Sequence, residues 1–162
     1  MVDTTGGASA RRTERLELRV PTSRTQLPAV RAMTGDLAMR MDFDLDAVED
    51  LRLAVDEASA TLAAIAQPGT PLVTVFEAGP EGLEIHAWVS TAAGTDVPRD
   101  GFGWAVIAAL VDSVEAGPST QADVPAGDGS DGPVASITLT KELPPALRTA
   151  PGGGGADLSV AR

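Results

Sequence analysis

The stretch from Asp46 to Ala66, DAVEDLRLAVDEASATLAAIA, constrains this chain more than any other. Val48, Leu51, Val55, Ala58, Leu62 and Ile65 recur at steps of three and four, which puts them on one face of an α-helix. Asp46 is suited to cap its N-terminus, with Glu49 three residues on completing a capping-box pattern. Gln67, Pro68 and Gly69 end it. A helix of about 20 residues spans about 30 Å, the width of a small domain. The remaining elements must therefore pack around it.

Those elements follow from two other periods. Leu16, Leu18 and Val20 alternate with Glu17 and Arg19, the mark of a half-buried first strand. Leu27, Val30, Met33, Leu37 and Met41 mark an amphipathic helix over residues 26–41, with Pro28 in its first turn and Gly35 weakening it modestly. Leu72–Glu77 and Leu83–Val89, joined by the turn Ala78 to Gly82, predict an antiparallel hairpin. Trp104 to Val111 reads as a third helix with Val106, Ile107, Leu110 and Val111 facing inward, and Asp112 to Glu115 as a short strand. Residues 117–133, with four Gly and three Pro, read as a loose loop, and Val134–Lys141 as a final strand. The order β-α-α-β-β-α-β-β implies an α+β fold: a two-layer sandwich of a mostly antiparallel sheet covered on one face by three helices. Residues 1–14 and 143–162 are small, polar or Pro- and Gly-rich and read as disordered tails around one domain at 15–142.

Charge and residue types exclude much. With 12 basic against 23 acidic residues the net charge is −11, so a nucleic-acid backbone or an anionic membrane would repel the chain, and a basic protein is the favoured partner. No cysteine means no disulfide framework and no thiolate metal site, and a single histidine, His86, makes a Ser-His-Asp triad unsuitable. His86 alternates with apolar neighbours and reads as structural. No apolar run reaches the roughly 20 residues of a membrane span, and the N-terminus lacks the apolar centre of a signal peptide, so a cytoplasmic location is expected.

Three features carry possible chemistry, and each has a plain alternative. Glu57 is either a solvated glutamate on a helix shoulder or a carboxylate beside a nucleotide pocket, a candidate general base. Gly101-Phe102-Gly103 ahead of the third helix is either a turn or a place where backbone amides approach an anion. Arg24, Arg31 and Arg40 are either ordinary surface arginines or a contact surface for an acidic patch on a partner.

The segments LRLAVDEASATL (51–62), DGFGWAVIAALVDSV (100–114) and SITLTK (136–141) resemble the histidine-kinase-type (Bergerat) ATPase fold, and more narrowly the RsbW-type anti-sigma factors that are also serine protein kinases. The resemblance covers roughly residues 16–142. It implies that Glu57 activates a serine hydroxyl or a water, and that the family's Mg²⁺-ligating Asn falls at Thr61, whose hydroxyl is shorter and has no carbonyl. It implies that the family's adenine-binding Asp falls at Ser90 or Thr91, with Gly94 as the one glycine left of that motif. Gly101 and Gly103 take the phosphate-approaching positions, and the lid is reduced to Thr95–Arg99. The Arg31 position is the one at which the family contacts its sigma factor, with Arg24 and Arg40 beside it as further partner-binding candidates. The implied function is an anti-sigma factor, acting as a homodimer on an alternative sigma factor of the stress or sporulation type and released by an antagonist protein. ATP and Mg²⁺ are then bound weakly if at all. The alternatives are an active serine/threonine kinase acting on that antagonist, and a structural α+β domain that binds some other acidic or basic protein.

Overall fold

The computed structural model describes residues 13–148. The expected tails at 1–14 and 143–162 therefore lie largely outside the described residues. Within them the order is β1 (Glu14–Pro21), α1 (Pro28–Arg40), α2 (Leu45–Ile65), β2 (Pro71–Ala78), β3 (Gly82–Ser90), α3 (Phe102–Leu110), β4 (Ser113–Thr120), β5 (Pro133–Glu142) and a single turn, α4 (Pro145–Arg148). The strands form one sheet in the order β1-β2-β3-β5-β4, with every neighbouring pair antiparallel. Residues of α1, α2 and α3 share one core with the facing side chains of the sheet, the expected two-layer α+β sandwich.

The long helix begins two residues earlier than its pattern suggests. Its N-cap is Asp44, not Asp46: Asp44 has the extended backbone a cap needs (φ −66, ψ 165), and its Oδ1 accepts the Ala47 N–H at 2.8 Å. Asp46 instead stands in the first turn, where its charge suits the positive end of the helix dipole. Glu49 closes no capping box and pairs with Arg52. Val48, Leu51, Val55, Ala58 and Leu62 are buried as their spacing requires, together with Ala54 and Ser59. They meet Leu72, Phe76, Ile85, Ala87, Ile137 and Leu139 of the inner sheet face in one core. Leu51 and Leu62 are fully buried, and each contributes about 1.5–3 kcal/mol relative to exposure.

The first helix packs antiparallel against α2. Arg31 pairs with Asp56, and Gly35, a few residues on, lies against Arg52. Gly35 therefore has a packing reason beyond helix propensity: a methyl group there would overlap the Arg52 guanidinium.

The other sheet face is covered at one end. Val73, Trp88 and Val134 form a second small cluster with Val124. Trp88 Nε1–H donates to the Pro125 carbonyl at 2.9 Å, and Arg19 Nη2 donates to the Ala126 carbonyl at 2.7 Å. The expected loose loop at 117–133 is thus corrected: β4 runs on to Thr120, and 121–132 folds over the sheet. Gly117 and Pro118 are tolerated because β4 is an edge strand. His86 lies on this face, its Nδ1 2.8 Å from Thr138 Oγ1, and burial pushes its pKa down while the charge of Glu77 opposes the shift. The structural reading of His86 fits this setting.

The chain also stays packed past 142. Leu143 is buried and its N–H donates to the Glu81 carbonyl at 2.8 Å, and Arg148 reaches Glu142 at 3.2 Å and Glu81 at 3.7 Å. The expected start of disorder at 143 is corrected accordingly; composition there, with two prolines, hides one buried leucine.

Replacing a helical glycine with alanine usually stabilises by about 0.5–1 kcal/mol. Gly35→Ala is expected to give no such gain in urea unfolding, because it displaces Arg52. In an Arg52→Ala background the same change is expected to recover about 0.5–1 kcal/mol. A gain of that size in both backgrounds contradicts the packing account.

Candidate nucleotide and partner site

Glu57 sits on the flank of α2 that faces α3, half-buried. The third helix runs antiparallel to α2. Gly103 in its first turn approaches Glu57, while Lys141 Nζ, which donates to the Leu110 carbonyl at 2.9 Å, lies 3.7 Å from Asp50 near the start of α2. A Cβ on Gly103 would stand 2.9 Å from Glu57 Oε2. Of the two glycines, Gly103 is therefore the one whose missing side chain matters. Gly101 is the N-cap, with extended backbone and open space around it. The structure brings Glu57 and the N-terminus of α3 together across more than 40 residues of sequence. The first amides of a helix lack partners within it and carry partial positive charge. A carboxylate already stands beside them, so a further anion there requires a cation between the two.

Thr61 lies one turn beyond Glu57, half-buried. At the end of β3 the structure separates the two candidates for the adenine contact. Ser90 faces the outer side, and its Oγ accepts from Gln121 Nε2 at 3.2 Å. Thr91 is 1% exposed, and its Oγ1 has no hydrogen-bond partner among the described residues. Thr91 therefore offers the unspent buried hydroxyl. Gly94 has φ +80 and open space around it, so it serves the turn of the chain rather than a close approach.

The short lid segment carries a residue that sequence reasoning missed. Val97 is 3% exposed and belongs to the main core. Asp96 fixes it in place: its Oδ1 accepts the Val97 N–H at 2.7 Å and its Oδ2 lies 3.2 Å from Arg99 Nη2. A lone valine between Asp96 and Pro98 is the only signal the sequence offers, and no periodicity exposes it.

The three arginines part company. Arg31 is exposed and pairs with Asp56 at 3.1 Å. Burial pushes the Asp56 carboxyl up, and the Arg31 charge and hydrogen bond oppose that shift. Arg24 is exposed, without an ion pair among the described residues, and lines a cleft of about 590 Å³ whose walls include Leu27, Pro28, Asp56 and Ala60. Arg40 lies at the far end of α1, engaged by Asp36 at 3.0 Å and Glu14 at 3.5 Å. Arg24 and Arg31 therefore share the neighbourhood of Asp56, and Arg40 does not.

Thr61 offers a hydroxyl at the position that the resemblance assigns to a metal ligand, and Mg²⁺ takes oxygen donors in near-octahedral geometry. Among the described residues no group of three or more His, Asp or Glu side chains is placed to hold a metal ion. No helix of the described residues is long and apolar enough to cross a membrane.

The family of histidine kinase-like ATPase domains matches residues 20–123, well over half of the chain, and the chain belongs to that family. Within it, the chain is similar to the anti-sigma-F factor RsbW of Mycobacterium tuberculosis, in both strain H37Rv and strain CDC 1551: 38% identical over 102 residues, 62% of this chain and 60% of each relative. The chain thus matches less than two thirds of the length of these relatives.

Gly103→Ala is expected to cost about 1 kcal/mol in urea unfolding by forcing Glu57 aside. In a Glu57→Ala background most of that cost is expected to vanish. An equal cost in both backgrounds contradicts the close approach of the two residues.

Proposed function

We propose that this chain is an anti-sigma factor that binds and inhibits an alternative sigma factor in the cytoplasm, with a degenerate nucleotide pocket, and that an antagonist protein releases it. The observation that carries the reading is the loop between β3 and α3. It is pinned down with Val97 in the core, where a closing lid is expected from the family resemblance. Thr91 at the adenine position and Thr61 at the metal position add to it, since both replace a charged or carbonyl-bearing group with a hydroxyl. Loss of a polar contact in a site built for it weakens recognition by several kcal/mol. The similarity to RsbW supports the partner class. In this reading Glu57 serves packing against α3 rather than phosphoryl transfer.

The partner surface is assigned to the N-terminal half of α1. Arg31 is exposed and held in position by Asp56, and Arg24, without an ion pair among the described residues, lines the adjoining cleft. An exposed pair of this kind is worth at most about 1 kcal/mol of stability, so Arg31 can exchange Asp56 for a carboxylate on a partner at little cost to the fold.

The test is equilibrium binding of purified alternative sigma factors from the source genome. One of them is expected to bind, with Arg31→Ala weakening it by about tenfold or more, in the range of a charged interface anchor, and Arg40→Ala leaving it nearly unchanged. Equal loss from both changes, or binding indifferent to Arg31, contradicts this surface assignment.

A further inference from the structure

The third helix, FGWAVIAAL, carries no charged side chain, and a helix apolar on all sides ordinarily lies in a protein interior. Here Ile107 is its one fully buried residue. Phe102 is 86% exposed, and Ala105, Ala108 and Ala109 are exposed along the same helix. Leu53 on the neighbouring α2, one turn before Glu57, is 46% exposed.

The surroundings of this helix are acidic. Asp100 stands exposed before its N-terminus and Asp112 exposed after its C-terminus, and α2 lends Glu57 and Asp50 along the flank facing it. The nearby cations are engaged: Lys141 with the Leu110 carbonyl and Asp50, Arg99 with Asp96. An apolar strip with an aromatic at one end, framed by the carboxylates of Asp100 and Glu57, with Asp112 accepting the Glu142 N–H at 2.7 Å and Asp50 held by Lys141, is complementary to an apolar strip framed by cations.

A second copy of the chain is a poor occupant. Two acidic rims would face each other across the contact. A nine-residue helix is about 13 Å long, and one face of it falls short of the roughly 800 Å² per partner of a standard interface. We propose that α3 is a second docking strip, which takes a basic amphipathic helix of a partner protein: apolar side chains on Phe102 and the alanines, Lys or Arg side chains to Asp100, Asp112 and Glu57. The proposal rests on the reading of this chain as a partner-binding protein and adds a contact on the opposite flank of α2 from α1.

The test uses the full chain and two synthetic peptides of about 18 residues, roughly five helical turns. One has leucines at three- and four-residue spacing with lysine elsewhere, and the other has glutamate in place of lysine. The lysine peptide is expected to bind. Phe102→Ala is expected to weaken it about tenfold, as for an aromatic anchor, and Asp100→Lys to weaken it further with a smaller salt dependence. Met39→Ala, an exposed apolar residue on α1, is expected to leave it unchanged. Equal binding of the glutamate peptide, or lysine-peptide binding indifferent to Phe102, overturns the proposal. So does self-association of the chain that Phe102→Ala abolishes. In parallel, a sigma factor captured by a chain that does not bind the lysine peptide overturns the α3 strip and leaves the anti-sigma reading standing. Phe102-dependent peptide binding with no sigma factor captured supports the strip and removes that reading.

Discussion

Everything in this fold depends on the two-sided burial of α2. Its apolar stripe lies on the centre of the sheet, and its flanks carry α1 on one side and α3 on the other. Fully buried leucines at Leu51 and Leu62 fix its height above the sheet, and small side chains at Ala54 and Ala58 let it lie close. Because the flanks are fixed, residues that face sideways acquire definite neighbours. Arg52 meets Gly35, Asp56 meets Arg31, and Glu57 meets Gly103. The candidate site and the candidate partner surface are thus opposite sides of one helix.

Asp56 and Glu57 are neighbours on α2, the first turned to Arg31 of α1 and the second to Gly103 of α3. Both contacts are half-exposed polar arrangements on an otherwise apolar scaffold, the kind of contact that rearranges without unfolding the core. The candidate site groups Glu57 and Gly103 are also ones that help α3 seat against α2. They retain a structural use whether or not a nucleotide is bound.

The sequence made the large elements legible because their periods are strong. The stripe of α2, the alternation of β1 and β3 and the Pro28 entry to α1 each reappear in the structure within a residue or two. What it hid were single apolar residues in polar or Pro- and Gly-rich surroundings. Val97, Val124 and Leu143 are each buried, yet none has a periodic neighbour to betray it. Hence the segment at 121–132 read as loose, the lid as merely short and the tail as starting at 143. The cap was misplaced for a different reason: Asp44 and Asp46 both suit the role by type, and only the extended backbone at Asp44 decides between them. The candidate site residues came from motif positions, and the sequence could not show that Ser90 faces Gln121 while Thr91 is buried with its hydroxyl unspent.

The central claim is that the nucleotide pocket has lost tight binding while the fold that once framed it now serves protein partners. Calorimetric titration of the full chain with ATP and ADP in the presence of Mg²⁺ tests it most directly. The expected result is no binding below about 1 mM, a free energy weaker than about −4 kcal/mol. Saturable binding near 1 μM, about −8 kcal/mol, would contradict it and turn the molecule back into a candidate kinase.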